Sequence, residues 1–146
     1  YPERTNGGNG VQTGGDNLRF YIASRLSERP KLVKVSSALV ELGHVVTSKW
    51  IYDVGDAKDS RNALKVAIRD LCHIAEADVL LLDTVTQVAQ DGGAGKEVEF
   101  GFAIGYFQSK QLWRVGPVKN VFHTIADESW ATWAEFLEFM KEGKKK

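Results

Sequence analysis

Short apolar segments alternate with longer, helix-spaced segments along most of this chain of 146 residues. The short segments have the length and composition of strands, and polar or glycine-containing turns separate them from the helical ones. Strands that alternate with helices predict an α/β fold in which a parallel sheet carries helices on both faces. The predicted strands are 20–23, 44–48, 79–83, 111–115 and a short fifth one at 121–123, and the predicted helices are 30–42, 60–77, 95–109 and 130–142.

The carboxyl ends of parallel strands are the place where sheets of this kind bind ligands. Four segments are expected to meet at this edge: the turn at 24–29, the loop that carries Trp50, the loop at 83–95 and the turn at 116–120. We therefore expect the functional side chains to lie in or next to these four segments.

The third of these loops is rich in glycine and leads into an unusual helix. Glu97 and Glu99 lie in its first turns, and the rest of the helix is apolar nearly all round, which is typical of a helix buried in a core or between subunits. The helix dipole favours negative charge at this end, so both acids should be ionised at neutral pH. Because burying a carboxylate is costly, one placed here should have partners or a chemical task.

Composition and charge narrow the range of functions. Lysine plus arginine equals aspartate plus glutamate at 19 each, which argues against a nucleic-acid polymer as partner. The single cysteine, Cys72, fits a reducing compartment, and no run is long enough to span a membrane, so we expect a cytoplasmic protein with no membrane partner. Residues 1–17 are expected to form a flexible leader before a single domain at 18–146.

Several familiar sites are disfavoured by the motifs. The loop at 92–96 lacks the Gly-Lys-Ser/Thr ending of a P-loop, and a dinucleotide fingerprint should follow the first strand. His44, His73 and His123 are scattered and show no metal-binding spacing. The sequence therefore predicts neither a cofactor nor a metal.

Carboxylate chemistry at a glycosyl carbon remains. Retaining enzymes use one carboxylate as nucleophile and a second acid to assist the leaving group. Glu99, and Asp70 on the flank of the apolar stripe of helix 60–77, are suitable types at suitable places. The alternative is a structural glutamate that caps backbone amides, and the residue pattern alone leaves both open.

A series of short motifs resembles the nucleoside 2-deoxyribosyltransferase family over residues 18 to about 140. The Glu-x-Gly-x-Ala element is the most specific of them, and the others fall in the right order. They are Phe20-Tyr21-Ile22-Ala23, Gly43-His44 with Trp50, Arg69-Asp70-Leu71, Ala77-Asp78-Val79-Leu80-Leu81-Leu82, Gly95-x-x-Val98-Glu99-Phe100-Gly101-x-Ala103, Val115-Gly116-Pro117 and Asn120-Val121-Phe122-His123.

The resemblance implies a flavodoxin-like three-layer sandwich, a homo-oligomer with shared active sites and a covalent deoxyribosyl-enzyme formed from small deoxynucleosides and free nucleobases. Glu99 would be the nucleophile, since Phe100-Gly101 follows it, and Glu97 would be a neighbour. Tyr21 would orient Glu99, and Asp70 would hold the sugar or assist the leaving base. Asn120 would reach the sugar 5′ end in a neighbouring subunit's site.

Three further residues complete the substrate-binding set that the resemblance implies. Asp91 is the candidate for a loop aspartate that many relatives carry, although its spacing from Glu99 is longer than usual. Trp50 and Gly95 lie in loops that border the site.

A rival within the same family hydrolyses deoxynucleoside 5′-monophosphates and holds the phosphate with a Ser- and Arg-bearing turn after the first strand. Ser24 and Arg25 supply such groups here, and arginine binds phosphate well. Asn120, however, looks more like a partner for a neutral 5′-hydroxyl, which favours the transferase. A non-catalytic nucleotide-binding module is the third possibility.

Overall fold

Five parallel strands form one sheet at the centre of the molecule. A computed structural model describes residues 17–53, 60–86, 94–106 and 109–145. The strands run in the order β2-β1-β3-β4-β5, which is the order of flavodoxin-like sheets. Their bounds are Arg19–Ala23 (β1), Val45–Val46 (β2), Val79–Asp83 (β3), Gln111–Val115 (β4) and Glu128–Trp130 (β5).

The described residues form four α-helices, which cover the sheet in two pairs, with α1 against α4 and α2 against α3. Their bounds are Arg29–Glu41 (α1), Ser60–Glu76 (α2), Ala94–Ile104 (α3) and Trp133–Lys145 (α4), and short 3₁₀ helices lie at Leu26–Glu28, Lys49–Ile51 and Val121–Ile125. The predicted α/β fold with its parallel sheet is confirmed.

The sheet separates an aromatic core from the candidate site. Side chains of a strand alternate between its two faces, so neighbours on β1 go opposite ways. Phe20 stacks edge-on with Trp113 and with Phe136 of α4, at centroid separations of 5.6 and 6.2 Å. Tyr21 is directed to the other face, where it meets α3. The alternation of side chains along β1 therefore directs Tyr21 to the face of the sheet that α2 and α3 cover.

The predicted fifth strand was wrong. Residues 121–125 form a 3₁₀ helix, because the side chain of Asn120 accepts a hydrogen bond from the backbone N–H of Phe122 and caps its start. The fifth strand lies downstream, at Glu128–Trp130, and it pairs only with β4 at the edge of the sheet. An edge strand with mostly exposed side chains carries little apolar signal, which is why the sequence pattern missed it.

The apolar stripe predicted for α2 is mostly exposed. Ile74 is fully buried, but Leu64 and Ile68 are 61% and 52% exposed. Val98 of α3 is 67% exposed, so this helix is likewise not buried on every side within one chain. These exposed apolar residues recur at the helical spacing that is typical of a buried face, but no other part of the described chain packs over them.

None of the helices in the described part of the chain is both long and apolar enough to cross a bilayer.

Candidate active site

Glu99 and Tyr21 form the centre of the candidate site. Tyr21 is fully buried on β1, and its phenol O–H donates a hydrogen bond to Oε2 of Glu99 on α3. The two residues are 78 positions apart in the chain, and the packing of α3 against β1 brings them together. A hydrogen bond from Tyr21 fixes one oxygen of the carboxylate and leaves Oε1 for other contacts.

Burial controls the protonation of this pair. Removal from solvent raises the pKa of Glu99 to about 7, the negative charge of Asp70 adds to the rise, and the hydrogen bond from Tyr21 opposes it. Burial, followed by the charge of Glu99, raises the pKa of Tyr21 far above its ordinary value, so the phenol stays a donor. The expectation that the helix dipole keeps Glu99 fully ionised at neutral pH was wrong, because desolvation outweighs the dipole at this depth.

Asp70 is the second carboxylate of the site. It lies on α2, mostly buried, and its charge acts on both Glu99 and Tyr21. Arg69 donates from Nε and from Nη2 to the same oxygen, Oδ1 of Asp70, at 3.1 and 3.0 Å. The structure therefore brings together the three residues assigned to catalysis on sequence grounds, one each from β1, α2 and α3.

The turn after β1 is hydrogen-bonded to a buried aspartate, Asp83, which the sequence pattern identified only as the end of a strand. Asp83 is almost completely buried at the carboxyl end of β3. Its Oδ2 accepts hydrogen bonds from Ser24 Oγ at 2.7 Å and Lys31 Nζ at 3.1 Å, and its Oδ1 accepts from the backbone N–H of Val85 at 3.0 Å. An acid directly after a fully apolar strand was the signal that could have identified it.

Two arginines of that turn differ in their surroundings. Arg29 donates from Nε to the carbonyl oxygen of Ile51 at 3.0 Å, so it links the turn to the following loop. Arg25 lies close enough to Glu28 for its charge to lower the pKa of that acid, although the larger cause is a hydrogen bond from Thr86.

Lys96 is a further buried charge that sequence reasoning missed. Its Nζ donates to the backbone carbonyl of Asp83 at 2.8 Å, and burial lowers the pKa of the amine. The negative charges of Asp83 and Glu97 oppose this lowering, and the positive charges of Lys119 and Arg25 add to it, so Lys96 lies among charges of both signs at the carboxyl edge of the sheet. Lys96 follows the glycines of the loop, and a lysine at the start of a helix is expected to be exposed, so the sequence did not predict its burial.

Trp50 and Gly95 occupy different environments. Trp50 is 7% exposed, and its Nε1–H donates to the carbonyl oxygen of Ile22 at 2.9 Å, so its polar atom supports the end of β1. Gly95 is exposed at the start of α3, and a Cβ added there would meet no atom within 4 Å. Asp91 lies outside the described residues.

Glu97 and Asn120 lie on the other side of α3. Glu97 precedes Glu99 by two residues, which is about 200° around a helix. Buried His123 accepts a hydrogen bond at Nδ1 from the backbone N–H of Lys119 at 3.0 Å, so its Nε2 carries the proton and donates to Glu97 at 2.9 Å. The amide nitrogen of Asn120 is 3.1 Å from the same Nε2. Asn120 is therefore not brought to the Glu99 of its own chain.

A cavity of about 710 Å³ opens on this second side of α3. Its walls are mainly apolar, with Glu97 and Asn120 as the polar residues and no contribution from Glu99. The residues that line it are Glu97, Val98, Phe100, Gly101, Ile104, Asn120, Phe122 and Ile125. The acid of this cavity, Glu97, is paired with buried His123, whereas Glu99 meets the phenol of Tyr21 and the charge of a second carboxylate, Asp70.

Two solved structures show which known proteins share this architecture. A 2-deoxyribosyltransferase from the psychrotolerant bacterium Bacillus psychrosaccharolyticus matches with a TM-score of 0.65 and 20% identity, over 82% of this chain and 90% of that chain. The CMP N-glycosidase of Clostridium botulinum matches with a TM-score of 0.52 and 17% identity, over 84% of this chain and 98% of that chain. The chain has their fold. The flavodoxin-like architecture implied by the resemblance is confirmed.

The sequence itself matches no family model and no curated protein. Within residues 17–53, 60–86, 94–106 and 109–145, no group of three or more histidine, cysteine, aspartate or glutamate side chains is arranged to hold a metal ion.

Proposed function

We propose that this chain transfers a 2-deoxyribosyl group between nucleobases through a covalent ester on Glu99. The observation that carries the proposal is the hydrogen bond from buried Tyr21 to Glu99 in the presence of a second carboxylate, Asp70. A structural glutamate would cap backbone amides, whereas Glu99 meets a phenol and a neighbouring acid. The two solved structures of this fold, which carry the names of a 2-deoxyribosyltransferase and a CMP N-glycosidase, support glycosyl chemistry.

The reaction then has two displacement steps. In the first, ionised Glu99 attacks the anomeric carbon of a deoxynucleoside, the C–N bond breaks, and its electron pair leaves with the base, which takes up a proton from a neighbouring acid or from water. In the second, a nitrogen of another base attacks the same carbon and gives up its proton, the ester bond breaks, and Glu99 recovers its carboxylate. Two inversions give net retention of configuration.

Tyr21 contributes to both steps by holding Oε2. Its hydrogen bond keeps the carboxylate in one rotamer, which reduces the entropy lost on attack. It also stabilises the charge that returns to Glu99 when the ester breaks, because a donor in a buried site is stronger than one in water. Since its own proton stays bound, Tyr21 acts as a donor and not as a base.

The alternative is hydrolysis of a deoxynucleoside 5′-monophosphate at the same glutamate. The positive charges of Arg25 and Lys119, both of which act on Lys96 at the carboxyl edge of the sheet, favour it, because cations there would offset part of the charge of a phosphate.

The partners of the turn at residues 24–29 support the transferase instead. Ser24 already donates its only hydroxyl proton to Asp83, and the guanidinium of Arg29 is directed to the backbone carbonyls of Ile51 and Tyr52, so both side chains have protein partners. The carboxylates of Asp83 and Glu28 border the same turn and would repel a dianion.

Product analysis separates these functions. The protein is incubated with a deoxynucleoside, with its 5′-monophosphate, and with each plus a free acceptor base, and the products are followed by chromatography. Base exchange that exceeds hydrolysis when the acceptor is present supports the transferase. Faster cleavage of the monophosphate, independent of acceptor, supports the hydrolase. Nucleoside binding without any release of base would support the non-catalytic module.

A further inference from the structure

The helix that carries Glu99 is attached to the rest of the chain by two further side-chain hydrogen bonds. Nζ of Lys96 donates to a backbone carbonyl oxygen at the end of β3, at 2.8 Å, and Glu97 accepts from Nε2 of His123, at 2.9 Å. Successive residues of a helix lie about 100° apart around its axis, so the bonds of Lys96, Glu97 and Glu99 leave α3 in three different directions. A roll of the helix about its axis would stretch at least one of them.

His123 contacts one face of α3 at two points. Besides its hydrogen bond to Glu97, the fully buried ring packs edge-on against Phe100, with the ring centroids 6.0 Å apart. Glu97 and Phe100 are three residues apart, so they lie on the same face of the helix. Two contacts with one ring define both the rotation of α3 and its position along its axis.

His123 is itself held from the side of β4. Its Nδ1 accepts from the backbone N–H of Lys119 at 3.0 Å, and Nη1 of Arg114 donates to the carbonyl oxygen of His123 at 2.6 Å. Because Nδ1 already has a donor and Nε2 carries the proton, neither ring nitrogen offers a lone pair that could remove a proton or bind a metal. The contacts of His123 therefore suit a fixed support and not an acid–base group.

Small movements of α3 matter because Glu99 has to reach a carbon atom of the substrate. A side-chain end about 6 Å from a helix axis moves by about 1 Å when the helix rolls by about 10°. A misplacement of about 1 Å can reduce a rate by about a hundredfold. The hydrogen bond from Tyr21 to Glu99 depends on the same geometry.

We infer that His123 is a positioning residue that, through Glu97, fixes the roll of α3 and with it the reach of Glu99 towards the reacting carbon. This role rests on the proposed function, because Glu99 needs a fixed reach only if it attacks a substrate. The alignment of Glu99 with Tyr21 does not depend on the proposed function and can be measured without it.

Glu97 offers a charge-matched pair of substitutions. Glu97→Gln keeps an oxygen that can accept from Nε2 of His123, and Glu97→Ala does not, but both remove the carboxylate. In Glu97→Ala, kcat for base exchange should fall by about ten- to a hundredfold with little change in KM, because the nucleophile moves while the substrate contacts remain. Glu97→Gln should keep kcat close to the original value. Equal losses in the two variants would overturn the inference.

A titration that needs no turnover separates the inference from the proposed function. The side-chain carboxyl carbon of Glu99 is followed by NMR against pH in the free protein. Tyr21 of β1 and Asp70 of α2 act on this carboxyl group, and Arg69 of α2 acts on Tyr21. Burial raises the pKa of Glu99 to about 7, and the hydrogen bond from Tyr21 opposes the rise. A rolled helix weakens that bond, so the midpoint should be higher in Glu97→Ala than in Glu97→Gln, by up to about one pH unit.

The midpoints and the base-exchange assay give distinguishable outcomes. A higher midpoint in Glu97→Ala supports the positioning role, and if base exchange is absent as well, only the proposed function fails. An equal or lower midpoint in Glu97→Ala than in Glu97→Gln would overturn the positioning role, even if the original protein exchanges bases.

Two substitutions of His123 test the same contact from the other side. The amide nitrogen of glutamine can replace Nε2 as the donor to Glu97, whereas the amide oxygen of asparagine can replace Nδ1 as the acceptor for Lys119. His123→Gln should therefore keep kcat and the midpoint of Glu99 closer to the original values than His123→Asn. Thermal unfolding of both variants is the control for packing, and the pair remains measurable if Glu97→Ala does not fold. The reverse order, or equal losses, would show that His123 does not act through α3 and would overturn the inference.

Discussion

Glu97 and Glu99 illustrate how two residues of one type, two positions apart, receive different environments. Glu99 faces β1 and α2, where it meets a phenol and a second acid, and Glu97 faces a buried histidine. The resemblance implied different roles for these two acids, and the structure gives them different partners. The partner of Glu97 was not predictable, because the sequence pattern placed His123 in a strand, whereas residues 121–125 form a 3₁₀ helix.

This difference gives a matched pair of substitutions. Glu99→Gln should reduce turnover by at least about a thousandfold, because an amide cannot form the glycosyl ester and loss of a nucleophile costs at least this much in other enzymes. Glu97→Gln should retain much of the activity, because Glu97 lies on the other side of α3 from the reacting carboxylate. Steady-state rates of base exchange provide the measurement. Comparable losses in the two variants would remove the distinction between them.

The pKa of Glu99 predicts the pH dependence. A nucleophile with a pKa raised to about 7 is mostly protonated below that pH, so kcat/KM should fall about tenfold per pH unit in the acid range and level off above about pH 7. An acid limb near 4.5, the ordinary value for a glutamate, would contradict the assignment.

Tyr21→Phe should shift the acid limb of the pH profile of kcat/KM. The hydrogen bond from Tyr21 favours the ionised form of Glu99, so its removal should move the limb to higher pH. It should also lower the maximal rate by about ten- to a thousandfold, the effect of losing one stabilising donor. Thermal unfolding of the same variant is the control, because a fully buried tyrosine also packs the core. A lower rate with an unmoved limb would indicate a packing defect.

At the scale of elements, apolar periodicity predicted the central strands well and the edge poorly. The predicted bounds of β3 and β4 match the structure, since β3 is a fully buried apolar run and β4 carries buried Leu112, Trp113 and Val115. The region at 121–130 was misassigned because a capping asparagine, rather than side-chain hydrophobicity, decides its conformation. The hydrogen-bonding role of Asp83 was missed because a single acid at the end of a strand contributes nothing to the periodic apolar pattern on which the predictions relied.

The turn at residues 24–29 gives a prediction at this scale. Arg25→Ala should change kcat/KM for a plain deoxynucleoside by less than about threefold, because a neutral 5′-hydroxyl does not need a cation. A phosphate subsite would lose about 1.5–3 kcal/mol of binding, or roughly tenfold or more in affinity for monophosphates. Inhibition constants for a monophosphate in the two proteins provide the comparison. A strong loss confined to monophosphates would favour the hydrolase.

At the scale of the whole molecule, one face carries apolar side chains that a single chain leaves uncovered. Leu64 and Ile68 of α2 and Val98 of α3 are exposed apolar residues on two helices that pack against each other, and Phe122, which is 60% exposed, lines the same cavity as Val98. We call this set the α2–α3 face. Single exposed apolar residues are common, but a cluster with the period of a buried stripe marks an interface. The apolar pattern of α3 left open whether the helix is buried in a core or between subunits, and the exposure of Val98 favours the second.

We therefore predict a homo-oligomer, at least a dimer, assembled through the α2–α3 face. Val98→Lys should weaken assembly, because it places a charge in the interface. Val40→Lys on α1, at a valine that is 56% exposed, is the matched control. Sedimentation over a range of concentrations measures the result. A monomer at every concentration, or equal effects of both substitutions, would contradict this prediction.

Shared active sites follow if Asn120 serves the Glu99 of a neighbouring subunit. Glu99→Gln and Asn120→Ala should each be inactive alone, and mixing them under conditions that exchange subunits should restore part of the activity. The restored site would combine an intact Glu99 from one chain with an intact Asn120 from the other. If the mixtures stay inactive although subunits exchange, each active site is formed by a single chain and the prediction of shared sites is wrong.

The covalent state of Glu99 is the most direct test of the proposed function. The protein is mixed with a deoxynucleoside in the absence of acceptor base, quenched with acid and digested for peptide mass spectrometry. The account predicts one added deoxyribosyl group on the peptide that carries Glu99, and its disappearance with formation of a new nucleoside when a free base is supplied before quenching. Turnover without this adduct, together with inverted configuration at the anomeric carbon, would contradict a covalent role for Glu99.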